Sequence, residues 1–263
     1  MDLGLKSKVA LVMAASRGMG RAGAEALAAE GCRVAICART KADIERAGVE
    51  IAKNHGVDVL AEAVDVEDRG ASRTFVEAVL KRFGAIDVLV VNCGGPPPGK
   101  PLEFDDAAWA KAVDSTLMVA VNWVRAVAPG MIERKWGRIV AITSIAVKQP
   151  IDSLILSNTM RSGVTGFCKT MSKELAPHGI TVNTICPGLI QTDRILHLAQ
   201  AQAKDAGISV DEALKRRTAD IPAGRIGRPG EVGALIAFLA GEPASYITGT
   251  TILVDGGMYR GLM

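Results

Sequence analysis

Apolar and polar residues alternate with two distinct periods along this chain of 263 residues. Short apolar runs rich in Val and Ile are each followed by a longer stretch whose apolar positions recur every three or four residues. The short runs predict strands over residues 9–13, 33–37, 59–64, 86–91, 138–142, 181–186 and 251–254. The longer stretches predict helices over 21–29, 42–54, 71–83, 106–133, 154–176 and 231–239. Local signals mark several ends. Thr40 with Asp43 three residues on has the form of a capping box, Pro229 suits a first helical turn, and Gly31 and Gly84 stand where helices stop. The alternation predicts an α/β fold, a single doubly wound domain over residues 1–263 with a seven-stranded parallel sheet and helices on both faces. One segment breaks the rhythm. Residues 193–225 form a long, Ala-rich, charged insertion with helical stretches at 195–206 and 210–218, after the sixth strand, where α/β enzymes carry substrate lids. A surface hairpin used for packing or oligomer contact would show the same pattern.

Composition sharpens this picture in two ways. Only 4% of residues are aromatic against 49% hydrophobic, so aliphatic side chains carry the core, as suits parallel strands buried on both faces. The five cysteines (Cys32, Cys37, Cys93, Cys168, Cys186) are odd in number, lie mostly in apolar runs and form no C-x-x-C pair, which predicts buried reduced thiols in a reducing compartment. Charge excludes partners more than it suggests them. The 31 basic and 28 acidic residues leave a net charge of +3, and no basic run is long enough for a nucleic-acid or anionic-lipid patch. The chain opens on charged residues and a strand, and no uninterrupted apolar run reaches the ~18 to 20 residues of a membrane span. The expectation is a cytoplasmic protein without a nucleic-acid or membrane partner. No set of His, Cys and acidic residues has metal-ligand spacing, so no metal site is expected.

Chemistry enters at the first strand-to-helix turn. Residues 9–22 read VALVMAASRGMGRA, a strand, a small-residue turn and a helix start. Gly18 and Gly20 let the backbone approach a pyrophosphate, which would sit on the free amides of the helix N-terminus. A glycine pair alone also suits plain helix–strand packing; its place in the first unit of an alternating α/β pattern makes it a Rossmann dinucleotide signature. Arg39, at the end of the second strand, stands where a carboxylate would accept from a ribose 2′-hydroxyl, and Arg17 lies in the glycine turn. Two guanidiniums suit a 2′-phosphate, so NADP(H) is favoured over NAD(H).

From Lys8 to Met258 the chain resembles the short-chain dehydrogenase/reductase family, in outline its 3-oxoacyl carrier-protein reductase members. The family's T-G-x-x-x-G-x-G turn matches Met13, Ala14, Ala15, Ser16, Arg17, Gly18, Met19 and Gly20, with Ala14 at the first glycine. Asp65-Val66 matches the motif at the adenine ring, and Asn92-Cys93-Gly94-Gly95 matches N-N-A-G. Pro187-Gly188 matches the motif after the sixth strand, with Ile190 and Thr192 where the nicotinamide amide is held. Tyr246 to Gly249 and Val254 to Gly257 match the C-terminal motifs. The resemblance implies an oxidoreductase acting on a small-molecule carbonyl/alcohol pair, assembled as a homotetramer through the helices at 106–133 and 154–176.

The catalytic positions depart from that family. Its serine is matched by Ser144, but its Tyr-x-x-x-Lys pair falls on Ser157 and Arg161, and its helix asparagine on Thr116. The downstream block at 166–176 fixes this register. A serine hydroxyl is a far weaker acid than a phenol and reaches less far. Arg161 keeps the charge, the helical spacing and the capacity to bind ribose, but a guanidinium does not give up a proton in proteins. Lys148, Asp152 and His197 are the substitute acids within plausible reach, and each also suits a solvated surface residue. Three readings remain open: an NADP(H)-dependent oxidoreductase with a non-standard proton-transfer site, a cofactor-binding sensor or partner subunit with little turnover, and non-redox chemistry in the same pocket.

Overall fold

The computed structural model describes residues 1–262, except for the side chains of Arg194, His197, Leu198, Ala201, Gln202 and Asp205. The candidate acid His197 therefore lies outside the described side chains. Seven parallel strands run β1 (Val9–Val12), β2 (Arg33–Ala38), β3 (Val59–Ala63), β4 (Val88–Val91), β5 (Gly137–Ile142), β6 (Ile180–Pro187) and β7 (Thr251–Val254). They lie in the order β3-β2-β1-β4-β5-β6-β7. Each predicted strand is present, with ends displaced by at most two residues.

The two faces of the sheet bury alternate residues of each strand. From β1, Ala10 and Val12 pack beneath helices α1 (Gly18–Ala29), α2 (Lys41–His55) and α9 (Pro229–Ala240). Val9 and Leu11 pack on the other face, beneath α3 (Ala71–Phe83), α5 (Val119–Arg134) and α6 (Ile155–Leu175). Both faces bury these residues, which is why the strands read as unbroken apolar runs. Gly84 ends α3 in the left-handed region at φ 81°, as its position foretold. The capping box at Thr40 is not made: Thr40 precedes α2 in extended conformation, but its hydroxyl caps no backbone amide. At α9 the Arg228 amide instead donates to the Glu231 carboxylate at 2.7 Å, while the Glu231 amide donates to the Arg228 backbone carbonyl at 3.0 Å.

The helix predicted over 106–133 is interrupted. Residues Asp106–Ala112 (α4) and α5 are joined by a π-helical stretch, Val113–Met118. Taken as one span, Asp106–Arg134 is long and apolar enough by length and composition to cross a membrane, although Asp114 and Arg125 interrupt its apolar positions. Its Trp123, Val124, Val127 and Met131 are buried in the core against the sheet, as in a core helix. The insertion after β6 forms α7 (Asp193–Ala206) and α8 (Val210–Thr218), packed together through Ala199, Ala203 and Ala213.

Candidate active site

Strand order reverses between β1 and β4, the place where open α/β sheets leave a crevice at the strands' carboxyl ends. A cleft of about 310 Å³ opens there. It is lined by Ala14, Ser16, Arg17 and Met19 from the glycine turn, Arg39 after β2, Asp65 and Val66 after β3, Asn92 and Gly94 after β4, and Arg161 from α6. The structure thus brings ten of the proposed cofactor residues to one cavity. Gly18 and Gly20 shape the turn from behind, while Pro187, Gly188, Ile190 and Thr192 lie outside this lining.

The turn is built by close approach. A Cβ on Gly20 would lie 2.5 Å from the Ala14 carbonyl oxygen and 2.8 Å from Asn92 Nδ2. Asn92 Nδ2 in turn donates to the carbonyls of Met13 and Ala14, at 3.3 and 3.4 Å. Gly18 adopts φ 62°, and a Cβ there would meet the Thr192 methyl at 3.4 Å, so the segment after β6 touches the glycine turn. Ala14, at the family's glycine, has φ 48°. Arg17 precedes α1 without capping it, and the first turn of α1 carries no acidic residue. The opening amides of this helix are therefore available to an anion, and the cradle fits a pyrophosphate.

Electrostatics in the cleft are more mixed than the two arginines alone imply. Arg39 is exposed and, among the described residues, makes no ion pair. Arg17 Nη1 lies 3.1 Å from Asp193 Oδ2, tying the turn to the first residue of α7. Cys93 and Gly95 of the N-N-A-G match also line the cavity, as do Thr40, Asp43 and Glu67, which the sequence did not assign to the cofactor. The Asp43 carboxylate is engaged by Arg46 at 2.8 Å. Asp65 accepts from the Glu67 amide at 3.1 Å and so fixes the turn after β3. Burial pushes the Cys93 thiol up, while the charge of Arg161 pulls it down.

The catalytic candidates gather at the exit of β5. Ser144 caps a short 3-10 turn, Ile145–Val147, its Oγ accepting from the Ala146 amide at 3.1 Å. Thr143 is buried; its hydroxyl donates to the Ile185 carbonyl at 2.9 Å and sits 3.1 Å from the Cys186 sulfur. Arg161 Nη1 donates to the carbonyls of Ile142 and Thr143, both at 3.1 Å. The guanidinium is thereby pinned beside Ser144 at one end of the cofactor cleft. Ser157, one helical turn before it on α6, is buried, and its hydroxyl makes no hydrogen bond among the described residues. Thr116 lies in the π stretch, buried, with its Oγ1 lacking a protein partner. The neighbouring Leu117 packs within 3.5 Å of the Cβ position of Gly163, so this stretch faces α6.

Asn158, beside Ser157, carries a role that the sequence did not disclose. Its side-chain amide donates to the Ile151 carbonyl at 3.0 Å and accepts from the Ile151 amide at 3.4 Å. The Gly99 amide donates to the Ser153 carbonyl at 2.7 Å, joining the loops after β4 and β5 over this region. No cluster of three His, Cys, Asp or Glu among the described residues is placed to hold a metal ion. Tyr246 is fully exposed, and the Tyr259 amide donates to Asp255 at 2.8 Å.

Comparison with known proteins agrees with this geometry. Residues 13–259 match the family profile described as enoyl-(acyl carrier protein) reductase. The chain is 37% identical over 254 residues to the monensin polyketide synthase putative ketoacyl reductase of Streptomyces virginiae, covering 96% of this chain and 97% of that one. It is 34% identical over 257 residues to the 3-oxoacyl-acyl-carrier-protein reductase FabG of Escherichia coli, covering 98% and 99%. The solved structure of L-sorbose reductase from Gluconobacter frateurii, complexed with NADPH and L-sorbose, superposes with a TM-score of 0.97 at 33% identity over the whole of both chains. The chain belongs to the short-chain dehydrogenase/reductase family, and it is an NAD(P)-dependent oxidoreductase.

Proposed function

We propose that the protein is an NADP(H)-dependent oxidoreductase that interconverts a small-molecule carbonyl and its alcohol through a non-standard proton-transfer site. The observation that carries this reading is the continuity of one cleft from Arg17 and Arg39 to Arg161. Arg17 and Arg39 serve the 2′-phosphate, the turn from Ala14 to Gly20 serves the pyrophosphate, and Asp65-Val66 faces the adenine. Asn92 and Gly94 form the wall, and Pro187, Gly188, Ile190 and Thr192 hold the amide end. When bound, the cofactor supplies or takes up a hydride at its nicotinamide ring. Arg161, held by two carbonyls, binds the ribose and stabilises charge developing on the substrate oxygen. Ser144 and Ser157 flank that oxygen, and the unpartnered Thr116 hydroxyl accommodates a relay water. NADPH in the L-sorbose reductase structure and ketoacyl reductase relatives support this assignment.

The insertion at 193–225 acts as a substrate lid. The five unbridged cysteines suit a cytoplasmic, reducing setting, and α5 and α6 provide faces for a homotetramer. Ser157 in place of the phenol favours a second reading, a cofactor-binding protein with little turnover. Fluorescence titration with NADPH and NADH, followed by NADPH oxidation against ketones and aldehydes, separates the two. Tight NADPH binding with oxidation on part of the panel is the expected result. Binding without oxidation across the panel would favour the second reading. Under the first, Ser157→Tyr with Arg161→Lys raises activity on simple ketones.

A further inference from the structure

Reduction of a carbonyl needs a proton as well as a hydride, and the family's phenol is missing. Among the described residues at the β5 exit, Arg161 does not release its proton, and the Ser144 and Ser157 hydroxyls are weak acids that need recharging. The Cys93 and Cys186 thiols are both raised by burial. Asp152 is exposed on the loop beyond and, when ionised, only accepts.

Lys148 remains. It ends the 3-10 turn that Ser144 begins, four residues on, so both flank the same turn. Its side chain is half-buried, yet it forms no ion pair and no side-chain hydrogen bond among the described residues. Burial raises the Cys186 thiol, while its hydrogen bond to Thr143 and the charges of Lys148 and Arg161 oppose that rise. Both cations therefore act on the layer beneath Ser144.

We propose that Lys148 is the proton donor that stands in for the missing tyrosine, acting at the substrate oxygen beside Ser144. This rests on the oxidoreductase reading above. In the reductive direction the hydride adds to the carbonyl carbon, and the carbon–oxygen π pair moves onto oxygen. That oxygen takes a proton from the Lys148 ammonium, leaving a neutral amine that water reprotonates. The dihydronicotinamide is oxidised and the substrate reduced, so no further redox partner is needed. Arg161 holds the charge that builds up on oxygen and keeps its own protons, which divides between two residues the tasks of binding charge and moving a proton.

Lys148→Arg tests the idea because it keeps the charge and removes the transferable proton. Lys148→Arg and Lys148→Ala should each lower kcat by about 100-fold or more, the usual scale of general acid catalysis. NADPH affinity should stay within about threefold in both. Added ethylammonium should restore about tenfold to Lys148→Ala and nothing to Lys148→Arg. A Lys148→Arg enzyme within about threefold of the parent would overturn the proposal, since charge alone would then suffice. A readout independent of turnover is reductive trapping with cyanoborohydride and a carbonyl compound in the presence of NADP+, with adducts located by mass spectrometry. Lys148 should be modified ahead of the exposed Lys53. Equal or slower modification would place its amine away from the carbonyl and overturn the proposal. A parent enzyme that oxidises no NADPH but traps Lys148 selectively would sink the reductase reading, not the placement of Lys148.

Discussion

Replacing Ala14 by glycine should stabilise the protein, although it removes a methyl group from a turn that lines the cofactor cleft. Ala14 is held at φ 48°. A non-glycine residue in the left-handed region carries a penalty of about 1–2 kcal/mol, because Cβ crowds the following carbonyl oxygen. Glycine removes that penalty but adds freedom to the unfolded chain, which offsets about 0.4–1 kcal/mol. The lost methyl is half-exposed and forfeits only a fraction of the ~0.8 kcal/mol of a buried methylene. The balance favours Ala14→Gly by about 0.5 kcal/mol, or ~1–2 °C in Tm for a domain of this size. Ala14→Val moves the other way, because a β-branched side chain at positive φ is a true outlier. Thermal unfolding by circular dichroism with cofactor absent should rank glycine above alanine and alanine above valine. A glycine variant that melts below the parent, or a valine variant that matches it, would refute the strain argument and the conformation on which it rests.

Gly20→Ala should leave the fold in place while raising the Kd for NADPH by about tenfold or more, because its Cβ falls on the Ala14 carbonyl and on Asn92; fluorescence titration checks this, and an unchanged Kd would mean that the turn does not cradle the cofactor. Arg39→Ala removes a charge-assisted contact worth about 1.5–3 kcal/mol, so NADPH affinity should fall about tenfold or more while NADH affinity holds; equal losses would remove Arg39 from the 2′-phosphate site. Burial pushes the Cys32, Cys37 and Cys168 thiols up to about 12, so the native state favours their neutral form. The stability this carries is fully present below the ordinary thiol range and is lost progressively as pH rises from there through about 12. Iodoacetamide at mildly alkaline pH should therefore spare these three until denaturant is added, and rapid native labelling would contradict their burial.

Much of this fold was legible because parallel strands buried on both faces write themselves as continuous apolar runs. The β1 turn was legible for the same reason: Gly18 needs a positive φ and Gly20 a close approach, and both demands are local. What stayed hidden depends on the i→i+5 bonding of Val113–Met118 or on partners distant in sequence. Arg17 pairs with Asp193 across 176 positions, and nothing near either residue announces it. Asp43 and Glu67 enter the cleft because of how β2 and β3 end side by side, so a charge argument from two arginines omitted them. Thr40 had the form of a cap without the bond, since sequence spacing does not fix where its hydroxyl points. Register alone puts Ser157 and Arg161 one helical turn apart on α6. The pinning of Arg161 to the Ile142 and Thr143 carbonyls was not legible, because it depends on how α6 lies across β5.

Under the proposed reading, one cleft, from Arg39 to Arg161, holds NADP(H) for hydride transfer to a carbonyl. Incubation with NADPH carrying deuterium at the transferable ring position tests it most directly, with a panel of ketones and aldehydes and mass analysis of the products. An alcohol bearing deuterium at the former carbonyl carbon should form with the parent and be suppressed in Arg161→Met. Tight binding of labelled NADPH with no deuterated alcohol from any carbonyl, or deuterium transfer undiminished in Arg161→Met, would contradict it.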